Sequence, residues 1–298
     1  MPPVDAPQRL PVTVLVPTLG RPTLAECVDS LLACRPGPDE ILLVVQGDER
    51  VATEVARRYE PGGVRVLHDG GSGVASSSNR GLEAAKHGTI LVTHDDCTVD
   101  PDWVAVGARL SAADPDAIIT GRVLPDGDPE RVPSCKTDPL PHDYTGRLEV
   151  GALYPNNMVL PQRSVLAMGG FDEQFPRWAA EDCDLCYRWL RAGGALRYEP
   201  EMVVHHRDWR TREELERLYV RYARSQGALY GKHLARGDLR IARFLVRDLR
   251  TGLWGWAARR RGRPRWTDWS LSILPALPGG VLYGLRHSVR ASARGSRG

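Results

Sequence analysis

The chain has 298 residues, 42% hydrophobic and 26% charged, with 23 prolines, 30 glycines and six cysteines. That composition excludes a disordered, collagen-like or disulfide-framework protein, and the length supports one large domain or two modest ones. The net charge of +3 conceals a division: residues 1–206 carry 19 Lys and Arg against 30 Asp and Glu, a net of −11, whereas residues 207–298 carry 21 against 7, a net of +14.

The start of the chain, Met1–Gln8, has no basic segment followed by an apolar core, so no secretory signal is read there. The longest apolar stretch, Leu271–Leu285, is interrupted by Pro275, Pro278, Gly279, Gly280 and Gly284. It is shorter than the roughly 20 residues a spanning helix needs. Only Cys183 and Cys186 have metal-like spacing, and no second pair completes four ligands, so they read as thiols one helical turn apart. A reducing cytoplasm is the expected compartment.

The first hundred residues alternate two periods. Val12–Val16, Ile41–Val45, Val64–Leu67 and Ile90–Thr93 are short apolar runs that read as strands. Between them, Arg21–Cys34, Glu49–Tyr59 and Ala75–His87 place apolar residues at helical spacing. This alternation with short links predicts an α/β fold: a mostly parallel sheet flanked by helices. Ligands in such sheets bind beyond the carboxyl ends of the strands. Farther on, Trp103–Leu110 reads as a helix, Ala117–Val123 as extended and Leu124–Tyr144 as a Pro- and Asp-rich loop. Asn157–Leu160 reads as a strand, Ser164–Met168 as a short helix and Glu181–Arg191 as a longer one stopped by Gly193-Gly194. Ala195–Tyr198 and Met202–Val204 are expected as two short strands. From Thr211 the chain turns helical and Arg-rich.

Three strand ends are polar: Pro17-Thr18-Leu19-Gly20-Arg21, Gln46-Gly47-Asp48 and His94-Asp95-Asp96-Cys97. Adjacent carboxylates after an apolar strand repel unless a cation joins them, and a carboxylate with substrate phosphates suits Mg²⁺ or Mn²⁺. The plain alternative is a solvated turn. Glu181 and Asp182 fall at a helix start, where free N–H groups favour negative charge with or without chemistry. His205-His206 follows the last short strand, and such a pair, taken alone, is more often surface than ligand.

Together these pieces resemble the family-2 glycosyltransferases of GT-A fold. The resemblance runs from about Pro11 to Trp209. It is carried by Val14-Leu15-Val16-Pro17-Thr18, Gly73-Val74-Ala75-Ser76-Ser77-Ser78-Asn79-Arg80-Gly81 and Thr93-His94-Asp95-Asp96-Cys97. Pro101-Asp102-Trp103, Asn157-Met158, Gly169-Gly170-Phe171-Asp172-Glu173, Glu181-Asp182-Cys183-Asp184-Leu185 and Pro200 with His205-His206 complete it. The resemblance implies an inverting transfer from a nucleoside-diphosphate sugar, usually UDP-linked, to a hydroxyl acceptor on a glycan, a lipid-linked glycan or a small natural product. Pro17 and Thr18 would line the nucleoside pocket beside Arg21, with Asn79 and Arg80 reaching the base or diphosphate and Asp95 the ribose or sugar. Asp96, the last carboxylate of the DXD stretch, would hold Mn²⁺ or Mg²⁺ with His206, or with His205 if the register slips. Asp182 would be the general base, with Glu181 and Asp184 in support. Two positions depart from the pattern: Gln46 stands where an Asp usually contacts the base, and His94 stands where the first DXD acid is usual.

The expected division is a glycosyltransferase domain over residues 1–209 and a helical, basic extension over residues 210–298. Arg residues among Trp254, Trp256, Trp266 and Trp269 suit an anionic membrane surface on the cytoplasmic side, packing against the acidic body, or a homodimer interface. The run Arg259-Arg260-Arg261-Gly262-Arg263-Pro264-Arg265 is a phosphate patch in isolation, but the acidic body and the sugar-transfer motifs argue against nucleic acid as the partner. A nucleotidyltransferase would favour a Lys-bearing Gly-rich loop after the first strand, which Thr18-Leu19-Gly20-Arg21 matches poorly. A non-catalytic sugar-binding module would not need both Asp96 and Asp182.

Overall fold

The computed structural model describes residues 8–47, 49–59, 63–71, 73–174, 179–261 and 269–295. Its first half is the expected alternation. Strands β1 (Arg9–Thr18), β2 (Gly37–Val45), β3 (Val64–His68) and β4 (Thr89–Val92) lie parallel in the order β3-β2-β1-β4. The connecting helices are α1 (Leu24–Ala33), α2 (Glu49–Arg58) and α3 (Val74–Ala84).

Side chains alternate across a strand, so a continuous apolar run fills two cores. Val14, Val16, Ile41 and Leu43 pack with Leu24, Val28 and Leu31 of α1 on one face. Leu15, Leu42 and Val44 pack with Ala75 and Leu82 of α3 on the other.

The second half adds β5 (Cys97–Val99), α4 (Trp103–Ala113), β6 (Ile118–Asp126), β7 (His142–Asp143), β8 (Met158–Pro161), α5 (Gln162–Ala167), α6 (Glu181–Arg191) and β9 (Leu196–Arg207). The sheet continues β4-β8-β6-β9-β5, with β7 on β9. Here β6 and β9 are parallel, while β8 runs antiparallel to both β4 and β6, and β5 and β7 run antiparallel to β9. Three features depart from the sequence reading. β5 is too short to show a period, and β7 lies inside the segment read as loop. The two expected short strands around Pro200 form one strand with a register shift, because Gly121 pairs with Glu199 while Arg122 already pairs with Val203. Gly121 lets the displaced backbone approach: a Cβ there would stand 2.4 Å from the Met202 carbonyl oxygen.

The described residues divide into two compact units, one of Met1–Glu173 with Leu185–Asp208, the other of Gln174–Asp184 with Trp209–Gly298. The second unit is built on α7 (Arg212–Ala235), α8 (Ala242–Arg260) and α9 (Ser270–Gly295). Helix α7 opens on a capping box. The Thr211 hydroxyl accepts from the Glu214 N–H at 3.3 Å, and the Glu214 carboxylate accepts from the Thr211 N–H at 2.8 Å. Helices α7 and α9 meet backbone to backbone through glycines four residues apart, Gly227 and Gly231 against Gly280 and Gly284. A Cβ on Gly280 would fall 1.9 Å from the Arg224 carbonyl oxygen, and one on Gly231 would fall 2.1 Å from that of Val281. Among the described residues no helix is long and apolar enough to cross a membrane.

Candidate active site

The carboxyl ends of β1 and β4 are knotted together by Asp95. Its carboxylate accepts from the Thr18 hydroxyl at 2.6 Å and the Leu19 N–H at 3.3 Å, and pairs with the Arg21 guanidinium at 2.5 Å. The Asp95 side chain is 1% exposed and that of Arg21 30%, so the cation is the part of the knot that reaches solvent. Parallel pairing of β1 with β4 causes this juxtaposition: Leu15 sits opposite Val92, which places the ends of both strands on one rim.

At the end of β2, Gln46 donates from Nε2 to Asp69 Oδ2 at 2.5 Å and accepts at Oε1 from the Gly73 N–H at 2.8 Å. Asp69 also accepts from the Gly71 N–H, Ser76 and Ser77 at 2.9, 3.2 and 3.2 Å. Burial pushes this carboxyl upward, but the hydrogen bonds prevail and hold it below its ordinary value. Gln46 thus ties the Gly-rich turn before α3 to the sheet. Asp69 was not singled out in the sequence, although it follows its strand directly, as the other polar strand ends do. Asp48 lies outside the described residues.

Asn79 is turned into the protein. Its carboxamide donates to the Phe171 carbonyl and to Glu173 at 2.8 Å each, and accepts from the Phe171 N–H at 2.8 Å. The Gly169-Gly170 pair makes this possible: both residues have positive φ, 86° and 62°. A Cβ on Gly170 would also meet Asn79 Oδ1 at 2.4 Å. The neighbouring Arg80 is exposed on α3.

The β5–β9 pairing decides how the two histidines point. Cys97 pairs with His206 and Thr98 with His205, so Cys97 and His206 share one face while His205 takes the other. His205 pairs with Asp100 at 2.9 Å. His206 Nε2 stands 3.6 Å from Asp96 Oδ2, and its Nδ1 is 2.8 Å from the Pro133 carbonyl oxygen. A carbonyl only accepts, so Nδ1 donates to it, and Nε2 is the ring atom turned toward Asp96, the orientation a metal ligand requires. Among the described residues, Asp96, Cys97 and His206 form a buried group with ligand atoms all within 4.8 Å of one another. Two adjoining buried groups also lack well-formed hydrogen bonds, the His94 Nε2 and the Asn156 carboxamide. Burial holds the His94 imidazole below its ordinary value, and so neutral, against the opposing pull of Asp96 and Asp95. The residues present therefore fit a divalent cation.

The second unit carries the acidic start of α6, entered through Ala180 at φ 78°. Burial, with Asp182 adjacent, pushes the Glu181 carboxyl up to about 8. Burial pushes Asp182 up to about 6, opposed by the Cys183 N–H. Both carboxyls are thus shifted toward the protonated form, a property suited to proton transfer near neutral pH. Asp184 is 0% exposed, and one of its oxygens receives Lys232 Nζ at 2.6 Å and His233 Nε2 at 2.9 Å. Lys232 and His233, on the buried face of α7, gave no sequence signal, because only folding places them beside Asp184. Trp178 lies outside the described residues.

A model of the family described as "Glycosyltransferase like family 2" matches residues 7–228. The uncharacterized glycosyltransferase EpsJ of Bacillus subtilis (strain 168) is 35% identical over 78 residues, 25% of this chain and 23% of that protein. The pre-mycofactocin glycosyltransferase of Mycobacterium tuberculosis (strain H37Rv) is 36% identical over 80 residues, 25% of this chain and 16% of that protein. The chain thus spans under a quarter of the length of either relative. Among solved structures, S. aureus TarS 1–349 in complex with UDP-GlcNAc aligns with TM-score 0.60 and 13% identity over 96% of this chain and 92% of that one. GalNAc-T7 with UDP, GalNAc and Mn²⁺ aligns with TM-score 0.56 and 16% identity over 76% and 51%. At such identities the likeness is one of fold, and that fold is GT-A.

Proposed function

Because the chain belongs to glycosyltransferase family 2, we propose that it moves a sugar from a nucleoside-diphosphate donor to an acceptor hydroxyl, with inversion at the anomeric carbon. The observation that carries this reading is the paired arrangement at one sheet end: Asp95 bound to Thr18 and Arg21, and Asp96 facing a His206 whose orientation is set by Pro133. The TarS and GalNAc-T7 structures, which hold UDP-GlcNAc and UDP with Mn²⁺, support a uridine-linked donor and a divalent ion.

In this reading Pro17 and Thr18 line the nucleoside pocket and Arg21, anchored on Asp95, presents positive charge toward the donor. Gln46 shapes the base pocket by holding the Gly-rich turn, and Arg80 meets the diphosphate from α3. Asp96 and His206 hold the cation, Mn²⁺ or Mg²⁺, which when bound neutralises the charge of the departing diphosphate. Asp182 accepts the proton of the acceptor hydroxyl, with Glu181 beside it at the start of the helix. Holding donor and acceptor in line supplies much of the rate.

The extension, residues 210–298 in the proposed division, bears a face suited to an anionic membrane surface. On α8, Leu253 is 60% and Trp254 74% exposed, and Arg243, Arg247, Arg250, Arg259 and Arg260 lie on the same helix. Aromatic and aliphatic side chains among arginines bind where lipid headgroups meet acyl chains. Sedimentation with anionic vesicles at low salt, released at high salt, is the expected result. A concentration-dependent dimer lost on Trp254→Ala, without vesicle binding, assigns the face to a second copy instead.

The function is tested by a thermal-shift screen of nucleoside diphosphates and their sugars with Mn²⁺, followed by donor turnover. Asp182→Asn abolishes transfer and leaves donor binding intact, while Asp96→Ala loses the metal-dependent part of binding in calorimetry. Near-normal turnover in Asp182→Asn removes that residue as base, and a chain that binds no nucleotide sugar at all removes the reading.

A further inference from the structure

The group at the β5–β9 pair holds one carboxylate, one imidazole and one thiol. Cys97 is 2% exposed, and Asp96 and His206 are 4% each. The thiol sulfur lies 3.8 Å from Asp96 Oδ1, on the opposite carboxylate oxygen from the one His206 faces at 3.6 Å. Its place is fixed by the ladder: Cys97 pairs directly with His206, so both side chains leave the sheet on the same side. A buried cysteine ordinarily acts as a small apolar side chain. This one instead has the carboxylate and the imidazole as neighbours. Beside it stands the Asn156 carboxamide, 1% exposed and without a well-formed hydrogen bond.

The donor set speaks to the identity of the ion. Mg²⁺ and Mn²⁺ favour oxygen ligands in octahedral arrangement, where neighbouring ligand atoms at about 2.1 Å from the ion stand about 3.0 Å apart. Zinc takes sulfur, nitrogen and oxygen in tetrahedral arrangement at about 2.3, 2.0 and 2.0 Å, which separates neighbouring ligand atoms by about 3.3–3.6 Å. The 3.6 and 3.8 Å separations run to different oxygens of Asp96, and all three ligand atoms lie within 4.8 Å of one another, so it is the donor set, one sulfur and one nitrogen beside a single carboxylate, that favours zinc. Three protein ligands are also the number found in zinc sites that keep a position open to substrate.

We propose that Cys97 is a third protein ligand of the Asp96–His206 metal site and that this O, N, S set binds Zn²⁺ in preference to Mn²⁺ and Mg²⁺. The inference rests on the reading of Asp96 and His206 as the metal site and adds to it the thiol and the selectivity.

The test uses the full chain stripped of metal and titrated with Co²⁺ as a spectroscopic stand-in for zinc, then with Zn²⁺ and Mn²⁺ by calorimetry. The parent chain is expected to show a thiolate-to-cobalt charge-transfer band in the near ultraviolet and to bind Zn²⁺ at least ~10-fold tighter than Mn²⁺. Cys97→Ser and Cys97→Ala, each checked for a parent-like melting curve, lose that band and lower the ratio of Zn²⁺ to Mn²⁺ affinity, while Mn²⁺ affinity itself changes less than about threefold. The proposal is overturned if Co²⁺ binds without the band, if the band persists in both variants, or if Zn²⁺ and Mn²⁺ bind the parent equally. Asp96→Ala separates the two levels. If metal binds the parent and Asp96→Ala alike, the metal-site reading itself fails. If Asp96→Ala abolishes binding while the Cys97 variants leave it untouched, only the thiol's role fails.

Discussion

Replacing Lys232 by methionine removes the cation 2.6 Å from Asp184 while keeping a side chain of similar length. Asp184 is 0% and Lys232 5% exposed, so water cannot take the place of the ammonium without opening the packing of α7. Removing one partner of a buried ion pair costs about 3–5 kcal/mol, chiefly because the remaining charge stays desolvated. His233 still reaches the same oxygen at 2.9 Å, which points to the lower end of that range. A loss of about 3 kcal/mol corresponds to a fall in Tm of roughly 6–12 °C for a chain of this size. The assay is thermal unfolding by circular dichroism at neutral pH, run as a double-mutant cycle with Asp184→Leu. Removing both charges leaves no uncompensated carboxylate, so the double variant should recover at least half of the loss. Asp184 lies two residues from Asp182 on the first turn of α6, and turnover should fall in Lys232→Met while donor KM stays near that of the parent. A Tm within about 1 °C of the parent for Lys232→Met, or additive losses in the cycle, refutes the assignment of a buried, coupled pair.

Three further outcomes rest on the same structure. With its carboxyl pushed up to about 6, Asp182 gains its ionised form as pH rises. Turnover at saturating donor should therefore climb through pH 6 and level off above it, and a profile flat from pH 5 to 7 contradicts the base assignment. Gln46→Glu sets a second carboxylate against Asp69 in place of a donor at 2.5 Å. It should lose the roughly 1.5–3 kcal/mol of a hydrogen bond to a charged group and weaken nucleotide binding, with partial recovery in acid when one carboxyl is protonated, read by thermal shift at two pH values. Gly280→Ala gains about 1 kcal/mol of helix propensity but drives a Cβ to 1.9 Å from the Arg224 carbonyl oxygen, so Tm should fall; a rise would show that α7 and α9 are not in backbone contact.

Much of the site was legible because it sits where strands end. Thr18, Gln46, Asp95 and Asp96 each lie within a few residues of the end of an apolar run, and the fold rule for parallel sheets places such residues on one rim. Asp69 obeyed the same rule and was passed over, since a single acid before glycines looks like any turn. Asn79 was expected to reach the donor. Its engagement with Phe171 and Glu173 depends on the Gly169-Gly170 turn coming so close that a Cβ on Gly170 would stand 2.4 Å from Asn79 Oδ1, an approach no spacing along the chain encodes. The choice between His205 and His206 stayed open in the sequence because neighbouring residues on a strand face opposite sides, and only the register with β5 tells which side is which.

The sequence by itself determined the family, the parallel first half of the sheet and the rim on which its polar strand ends gather. Those features follow from local periods of two and 3.6 and from motifs a few residues long. Tertiary structure alone decided the antiparallel second half, the meeting of Asp96 and Cys97 with His206, and the pairing of Asp184 with Lys232 and His233. It also placed Trp254, among the arginines of α8, on an exposed face. Each of these depends on register or packing between segments distant in the chain. The burial that makes a thiol or an ion pair chemically distinctive is a property of those neighbours, not of the residues themselves.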